Sequence, residues 1–171
     1  MANILILNGA SRKNGATSSL IKSFSQGAQS AGNTVPEFYL QDMNINGCLG
    51  CNGCKRKKDA DSPCVQKDDM SHIYREFKAA EVIVFASPVY FWTVSGPLKT
   101  ATDRLYAEIG ALGYSGFTKS SVLLMTAGGS DYSQAIRWYE TFERNLGWKN
   151  LGKVLGAGKE SEAYQLGKSI K

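Results

Sequence analysis

No apolar run in this 171-residue chain approaches the roughly 20 residues a helix needs to cross a bilayer. The longest, at 4–7 and 82–86, span a handful, so no membrane segment is expected. The start of the chain shows no basic stretch leading into an apolar one, the mark of a secretion signal, and a cytoplasmic protein is the expectation. Proline is scarce at 4, and the 18 glycines follow no period, which excludes collagen-like and low-complexity architectures. Histidine is scarcer still: His72 is the only one, and its place on a helix suits a surface or capping role rather than catalysis. Lys and Arg number 20 against 15 Asp and Glu, a net charge of +5 that favours anionic partners in general. No zinc-finger, RRM-type or basic-helix signature accompanies it, so nucleic acid is not an expected partner. The densest basic block, Lys55-Arg56-Lys57-Lys58, reads as a solvated loop face or a phosphate-attracting patch.

What remains is globular: 43% hydrophobic and 20% charged, with a length suited to one domain covering 1–171. Four apolar runs are continuous rather than alternating, as in strands buried on both faces. They lie at 4–7, 82–86, 122–125 and, more weakly, 154–157. A fifth run, 34–40, carries Pro36, which suits an edge strand. Between them Leu20, Ile21, Phe24 and Ala28, then Met70, Ile73 and Phe77, then Ala135, Ile136, Tyr139, Phe142 and Leu146 recur at helical spacing. Strand alternating with helix predicts an α/β domain. Crossover handedness narrows it to a flavodoxin-like, doubly wound five-stranded parallel sheet of order 2-1-3-4-5 with helices on both faces. Ligands of such sheets bind beyond the carboxyl ends of the strands, here the loops after Leu7, Ala86 and Met125. The stretch 41–67 has neither period and reads as an inserted functional loop.

The first loop, from Asn8 to Ser19, fails two phosphate motifs. Gly9 and Gly15 are separated by five residues with no Lys-Ser/Thr following, and Ser11 stands where the dinucleotide fingerprint needs glycine. A hydroxyl- and amide-rich turn at a helix N-terminus is left, in which backbone N–H groups with Ser11, Thr17 and Ser18 can surround a phosphate and Arg12 can add charge-assisted bonds. A plain loop with Thr17 as N-cap is the alternative. The second loop, from Ser87 to Lys99, holds Tyr90, Phe91 and Trp92 in a row. That rim suits a flat heteroaromatic ligand or burial against a second subunit. The third, Thr126-Ala127-Gly128-Gly129-Ser130-Asp131, can bring backbone close to such a ligand or can be a capped glycine turn.

All four cysteines fall in the insertion, as Cys48-x2-Cys51-x2-Cys54-x9-Cys64. Clustered cysteines without a secretion signal point to metal or redox chemistry. Four thiolates suit a [4Fe–4S] cluster or zinc; free or reversibly paired thiols are the third possibility. Gly47, Gly50 and Gly53, one before each of the first three, permit tight turns.

On these motifs the chain resembles the flavodoxin-fold NAD(P)H-dependent FMN reductases, particularly the branch containing iron–sulfur flavoproteins. The resemblance rests on Gly9-x-Ser11-Arg12-x4-Thr17, on Ser87-Pro88-Val89-Tyr90 running into Ser95-Gly96-Pro97-Leu98-Lys99, and on the cysteine insertion ending Cys64-x3-Asp68-Asp69-Met70. It implies that Ser11, Arg12, Asn14, Thr17 and Ser18 hold the FMN phosphate. Pro88, Val89, Tyr90 and Phe91 would line the isoalloxazine, with Thr126 and Gly128 at its polar edge. NAD(P)H would pass hydride to the flavin, and a small acceptor (quinone, nitroaromatic or free flavin) would then take its place; the cofactor does the hard chemistry, and no acid or base residue is assigned. The alternatives are an electron carrier with a [4Fe–4S] cluster on Cys48, Cys51, Cys54 and Cys64, and a thiol or metal sensor. A homodimer or homotetramer follows from the same resemblance.

Overall fold

The computed structural model describes residues 1–56, 62–110 and 113–171, with only the backbone of Ser115. Lys57 and Lys58 of the basic block, with the rest of that part of the insertion, lie outside the described residues. The chain alternates strand and helix: β1 (Ile4–Asn8), α1 (Ala16–Ser30), β2 (Glu37–Tyr39), α2 (Met70–Ala79), β3 (Val82–Tyr90), β4 (Thr93–Val94), α3 (Gly96–Arg104), α4 (Tyr106–Ile109), β5 (Ser120–Thr126), α5 (Ser133–Leu146), β6 (Lys149–Leu155) and α6 (Glu160–Ser169). Five strands form a parallel sheet in the order β2-β1-β3-β5-β6. This is the flavodoxin-like order; the two-residue β4 pairs antiparallel with the end of β3.

The apolar runs are continuous because each strand feeds two cores. Leu5, Leu7, Ile83, Phe85, Leu123 and Met125 point to the face covered by α2, α3 and α5. Their neighbours Ile4, Ile6, Val82, Val84, Val122 and Leu124 point to the face covered by α1 and α6. The period of two along a strand divides one run between two layers. On the second face α1 and α6 meet backbone to backbone. A Cβ on Gly27 would lie 2.0 Å from the Tyr164 carbonyl oxygen, and one on Gly167 would lie 2.2 Å from that of Phe24.

Three boundaries differ from the sequence expectation. The second strand is confined to Glu37–Tyr39, with Thr34 making an isolated bridge to Asn3. Pro36 lacks an N–H and contributes its carbonyl, which accepts from Ile6 N at 2.9 Å. The last strand runs over Lys149–Leu155 rather than 154–157. It is an edge strand, so polar Lys149, Asn150 and Lys153 enter it without burial. The third strand continues through Pro88, which pairs with Thr126, to Tyr90. Residues 87–90 are therefore strand and hairpin rather than loop. The helix α6 (Glu160–Ser169) was not anticipated: few of its side chains are buried, Ala163 and Gly167 among them, so its apolar period is faint.

Candidate functional site

The carboxyl end of β1 is tightly constrained. Asn8 Oδ1 accepts from Ala10 N at 2.9 Å, and Gly9 N donates to the Ala86 carbonyl at 2.8 Å. The Gly9 carbonyl accepts from Ser95 Oγ at 2.7 Å. A Cβ at Gly9 would sit 2.6 Å from Ser95 Oγ and 2.7 Å from Leu98 Cβ, so only glycine lets the first loop seat against the start of α3. Ser95 is the N-cap of α3, as its Ser-Gly-Pro context suggests, but its hydroxyl serves Gly9 instead of the helix.

At the start of α1 the N-cap is Gly15, without a side-chain cap, and Thr17 lies within the first turn rather than at the cap. Among the described residues, Ser19 is the first of α1 whose backbone N–H finds an acceptor, the Gly15 carbonyl at 3.0 Å. The N–H groups of Ala16, Thr17 and Ser18 are left free, as expected at a helix start. No acidic residue occupies this turn, so the positive end of the helix dipole is not offset by a carboxylate.

Two hydroxyl pairs tie the three loops together. The buried Thr17 Oγ1 lies 2.6 Å from Thr126 Oγ1, and Ser11 Oγ lies 2.5 Å from the Tyr90 hydroxyl. Between them is a cavity of about 220 Å³ lined by Ser11, Arg12, Thr17, Pro88, Val89, Tyr90, Thr126 and Gly128, together with Ala10, Gly15, Ala16, Ala127 and Ala157. One side offers hydroxyls, a guanidinium and helix N–H groups; the other is apolar; no carboxylate lines it. A dianionic phosphate attached to a flat apolar ring matches that donor set. A second cavity of about 430 Å³, bordered by Phe91, Trp92 and residues 127–131, shares Val89, Ala127 and Gly128 with the first.

Three of the anticipated residues stand apart from the first cavity. Asn14 is exposed. Ser18 donates through Oγ to the Arg12 carbonyl at 2.8 Å and lines a separate polar depression with Lys13 and Lys22. Phe91 projects from the hairpin tip into solvent and borders the second cavity. The lining residues not anticipated, Ala10, Gly15, Ala16, Ala127 and Ala157, are small and carry no functional group. Ala157 follows a fourth strand end, which Gly156 N fixes by donating to the Met125 carbonyl at 2.8 Å. His72 is exposed on α2.

The insertion is closed at its base. Asn44 N donates to Asp69 Oδ2 at 2.8 Å, Asn46 N to Asp68 Oδ2 at 3.1 Å, and Gln66 Nε2 to the Gly47 carbonyl at 3.1 Å. Arg104, fully buried, grips Asp68 with both terminal nitrogens at 2.7 and 3.0 Å and also donates to the Asn46 carbonyl at 2.7 Å. Burial alone would raise the Asp68 pKa; the Arg104 bonds and the N–H groups of Asn46 and Met70 outweigh it and hold the carboxyl below its ordinary range. Cys48 and Cys51 are exposed, Cys54 and Cys64 half-buried against the core, and all four are free thiols. Among the described residues no three His, Cys, Asp or Glu side chains are gathered to hold a metal ion. Of the three glycines before cysteines, Gly50 adopts a left-handed conformation (φ 63°), while Gly53 is needed for close approach, since a Cβ there would meet Val65 Cγ1 at 2.5 Å.

A parallel flavodoxin-like sheet thus carries, at the ends of β1, β3 and β5, a turn of free N–H groups and hydroxyls beside an apolar wall. The chain belongs to the NADPH-dependent FMN reductase family, whose sequence profile matches residues 2–144. Among solved structures it is similar to an NAD(P)H:quinone oxidoreductase from Methanothermobacter marburgensis (TM-score 0.76, 16% identity, 99% of each chain). It is also similar to the azoreductase AzrA (TM-score 0.70, 15% identity, 99% of this chain and 100% of that one). At these identities the likeness is one of fold. Among curated proteins, an iron–sulfur flavoprotein of Archaeoglobus fulgidus is 32% identical over 97 residues, 57% of this chain and 42% of that protein. One of Clostridioides difficile is 27% identical over 157 residues, 88% of this chain and 65% of that protein. The chain spans about half the length of the first of these relatives. No described helix is long and apolar enough to cross a membrane.

Proposed function

We propose that the protein is an FMN-dependent oxidoreductase that draws hydride from NAD(P)H and reduces a small acceptor such as a quinone, nitroaromatic or free flavin. The observation that carries this reading is the pair of hydroxyl contacts, Thr17 to Thr126 and Ser11 to Tyr90, joining three strand ends around one cavity. Ser11, Arg12, Thr17 and the free N–H groups of α1 would hold the phosphate. Asn14 and Ser18 would contribute only through backbone or by supporting the turn. Pro88, Val89 and Tyr90 would flank the ring, with Thr126 and Gly128 at its polar edge. The first cavity alone is smaller than the ~300–1,000 Å³ common for ligand pockets; its opening into the second supplies the remaining room. Bound FMN supplies a centre that accepts hydride and hands on two electrons. The chain's part is to bind, orient and limit access. With a quinone the overall reaction balances as NADPH + H⁺ + quinone → NADP⁺ + hydroquinone. The test is anaerobic addition of NADPH to protein reconstituted with FMN: bleaching of the flavin absorbance, restored by a quinone, is expected, and a spectrum unmoved by either nicotinamide contradicts the reading.

A second reading is suggested by the clustering of four cysteines and by the names of the curated relatives, although the nine residues before Cys64 stretch the motif: an electron carrier with a [4Fe–4S] cluster on the insertion. Against it, no three His, Cys, Asp or Glu side chains gather to hold a metal among the described residues. Stoichiometric iron and sulfide in anaerobically isolated protein would establish it; their absence would leave the reductase.

A further inference from the structure

Away from the strand ends, the side of the sheet covered by α3, α4 and α5 carries a further cavity of about 730 Å³, within the ~300–1,000 Å³ common for ligand pockets. It shares no residue with the two cavities described above. Ile109 and Leu146 give it an apolar base. Its walls are aromatic: Tyr106 of α4, Tyr114 of the short turn Tyr114–Gly116, and Trp138 and Phe142 of α5.

Local rules set those rings in place. Trp138 and Phe142 are four residues apart on α5 and so share one face; their rings stack at 6.1 Å and 29°. Each also meets Phe85 of the sheet edge to face, at 5.9 and 5.4 Å. Tyr106 lies across Gly110, where a Cβ would come within 2.4 Å of its ring, so only glycine lets the ring rest on the backbone there. The rings are held from beneath, yet Tyr106, Trp138 and Phe142 stay half-buried and Tyr114 is 56% exposed. The core takes one side of Trp138 and Phe142 and leaves the rest to the cavity.

The chemistry of the lining selects the ligand. Among the described residues no Lys or Arg lines the cavity, in a chain with 20 of them, and the only carboxylate in the lining is Asp103. Asp103 pairs through Oδ1 with Lys99 one turn back on α3, both about half exposed, so solvent screens that pair. Arg137 and Arg144 of α5 line a different depression. Thr102 Oγ1 donates to the Leu98 carbonyl and Asn145 Nδ2 to the Thr141 carbonyl, each at 2.7 Å, so both turn their donors to their own helices. Aromatic faces carry a negative quadrupole that attracts cations, and the rim carboxylate adds to it. We infer that this cavity binds a planar organic cation of two or three fused rings, stacked on these side chains with its charge toward Asp103. The site does not depend on the reductase reading.

The test is equilibrium dialysis of the full chain, with and without FMN, against 1-methylquinolinium and against quinoline, its neutral counterpart of nearly the same shape. One 1-methylquinolinium per chain, held about tenfold more tightly than quinoline, is expected. Asp103→Asn, at an exposed position, should lose about three- to tenfold in affinity for the cation and leave quinoline binding where it was. Trp138→Leu should weaken both probes, and FMN affinity should hold in either variant. Equal binding of the cation and its neutral counterpart overturns the assignment. So does displacement of the cation by FMN, which would put it in the flavin cavity, and so does cation binding unchanged in both variants. A chain that self-associates in sedimentation, binds no 1-methylquinolinium and turns monomeric in Trp138→Leu overturns it in favour of a second copy on this face.

Discussion

Thr17 and Thr126 stand 109 residues apart in the chain, yet their hydroxyl oxygens lie 2.6 Å apart in the buried floor between α1 and β5. Replacing Thr17 by Val keeps the shape, removes a hydroxyl from the cavity and strands its partner. Thr17→Val should weaken FMN binding by roughly 1–3 kcal/mol, about tenfold or more in Kd, whereas Thr17→Ser should stay close to wild type. Fluorescence titration with FMN measures both.

The Arg104–Asp68 pair predicts a stability effect far from the cavity. Both side chains are 1% exposed, and removing one member strands the other charge, a loss of about 3–5 kcal/mol. Arg104→Met should therefore unfold at markedly lower denaturant concentration. Because the folded Asp68 pKa lies below its ordinary value of 3.8, the folded state binds fewer protons there than the unfolded state. The pair's contribution is present above about pH 4 and is lost as pH falls through the folded pKa. Acid unfolding of Asp68→Asn should lack that component.

Lys119 should act on the opposite limb. It is buried, donates to the Ala80 carbonyl at 2.5 Å and sits over the rings of Phe77 and Phe117. Desolvation nonetheless pushes its pKa from 10.5 down to about 8, against the raising effect of Glu81 and Glu108. Between these values the unfolded chain holds a proton that the folded protein has released. Stability should then rise with pH from about 8 to 10 on this account. Urea unfolding of wild type and Lys119→Met across that range isolates the effect: the variant should lack this rise.

The α1–α6 contact leaves no room for a side chain at either glycine. Gly27→Ala and Gly167→Ala should each cost about 1–3 kcal/mol, as overpacking does, and lower Tm by several degrees. Calorimetry checks this. Ala at Gly128, whose Cβ would meet nothing within 4 Å, should be neutral for stability.

The parallel sheet was legible because burial on both faces leaves unbroken runs such as Ile4-Leu5-Ile6-Leu7 and Val82-Ile83-Val84-Phe85. The edge strands were legible only in outline: the runs 34–40 and 154–157 overlap Glu37–Tyr39 and Lys149–Leu155, but polar Lys149, Asn150 and Lys153 follow no apolar rule and blur the bounds. Eight of the eleven residues expected around the flavin line one cavity. Asn14, Ser18 and Phe91 do not, because loop spacing says which residues are near but not which way each turns. The hairpin was hidden by its own chemistry: nothing in Phe91-Trp92 announces a turn that ordinarily needs Asn-Gly. Asp68 was visible as part of a motif, but its partner Arg104 lies 36 residues on, beyond any local pattern.

The most direct test of the central claim, that the turn at α1 grips a phosphate, is a parallel titration of the protein with FMN and with riboflavin, which differ by that phosphate alone. The account predicts far tighter binding of FMN, with the advantage shrinking in Arg12→Ala and Thr17→Val. Equal affinity for the two flavins would contradict it.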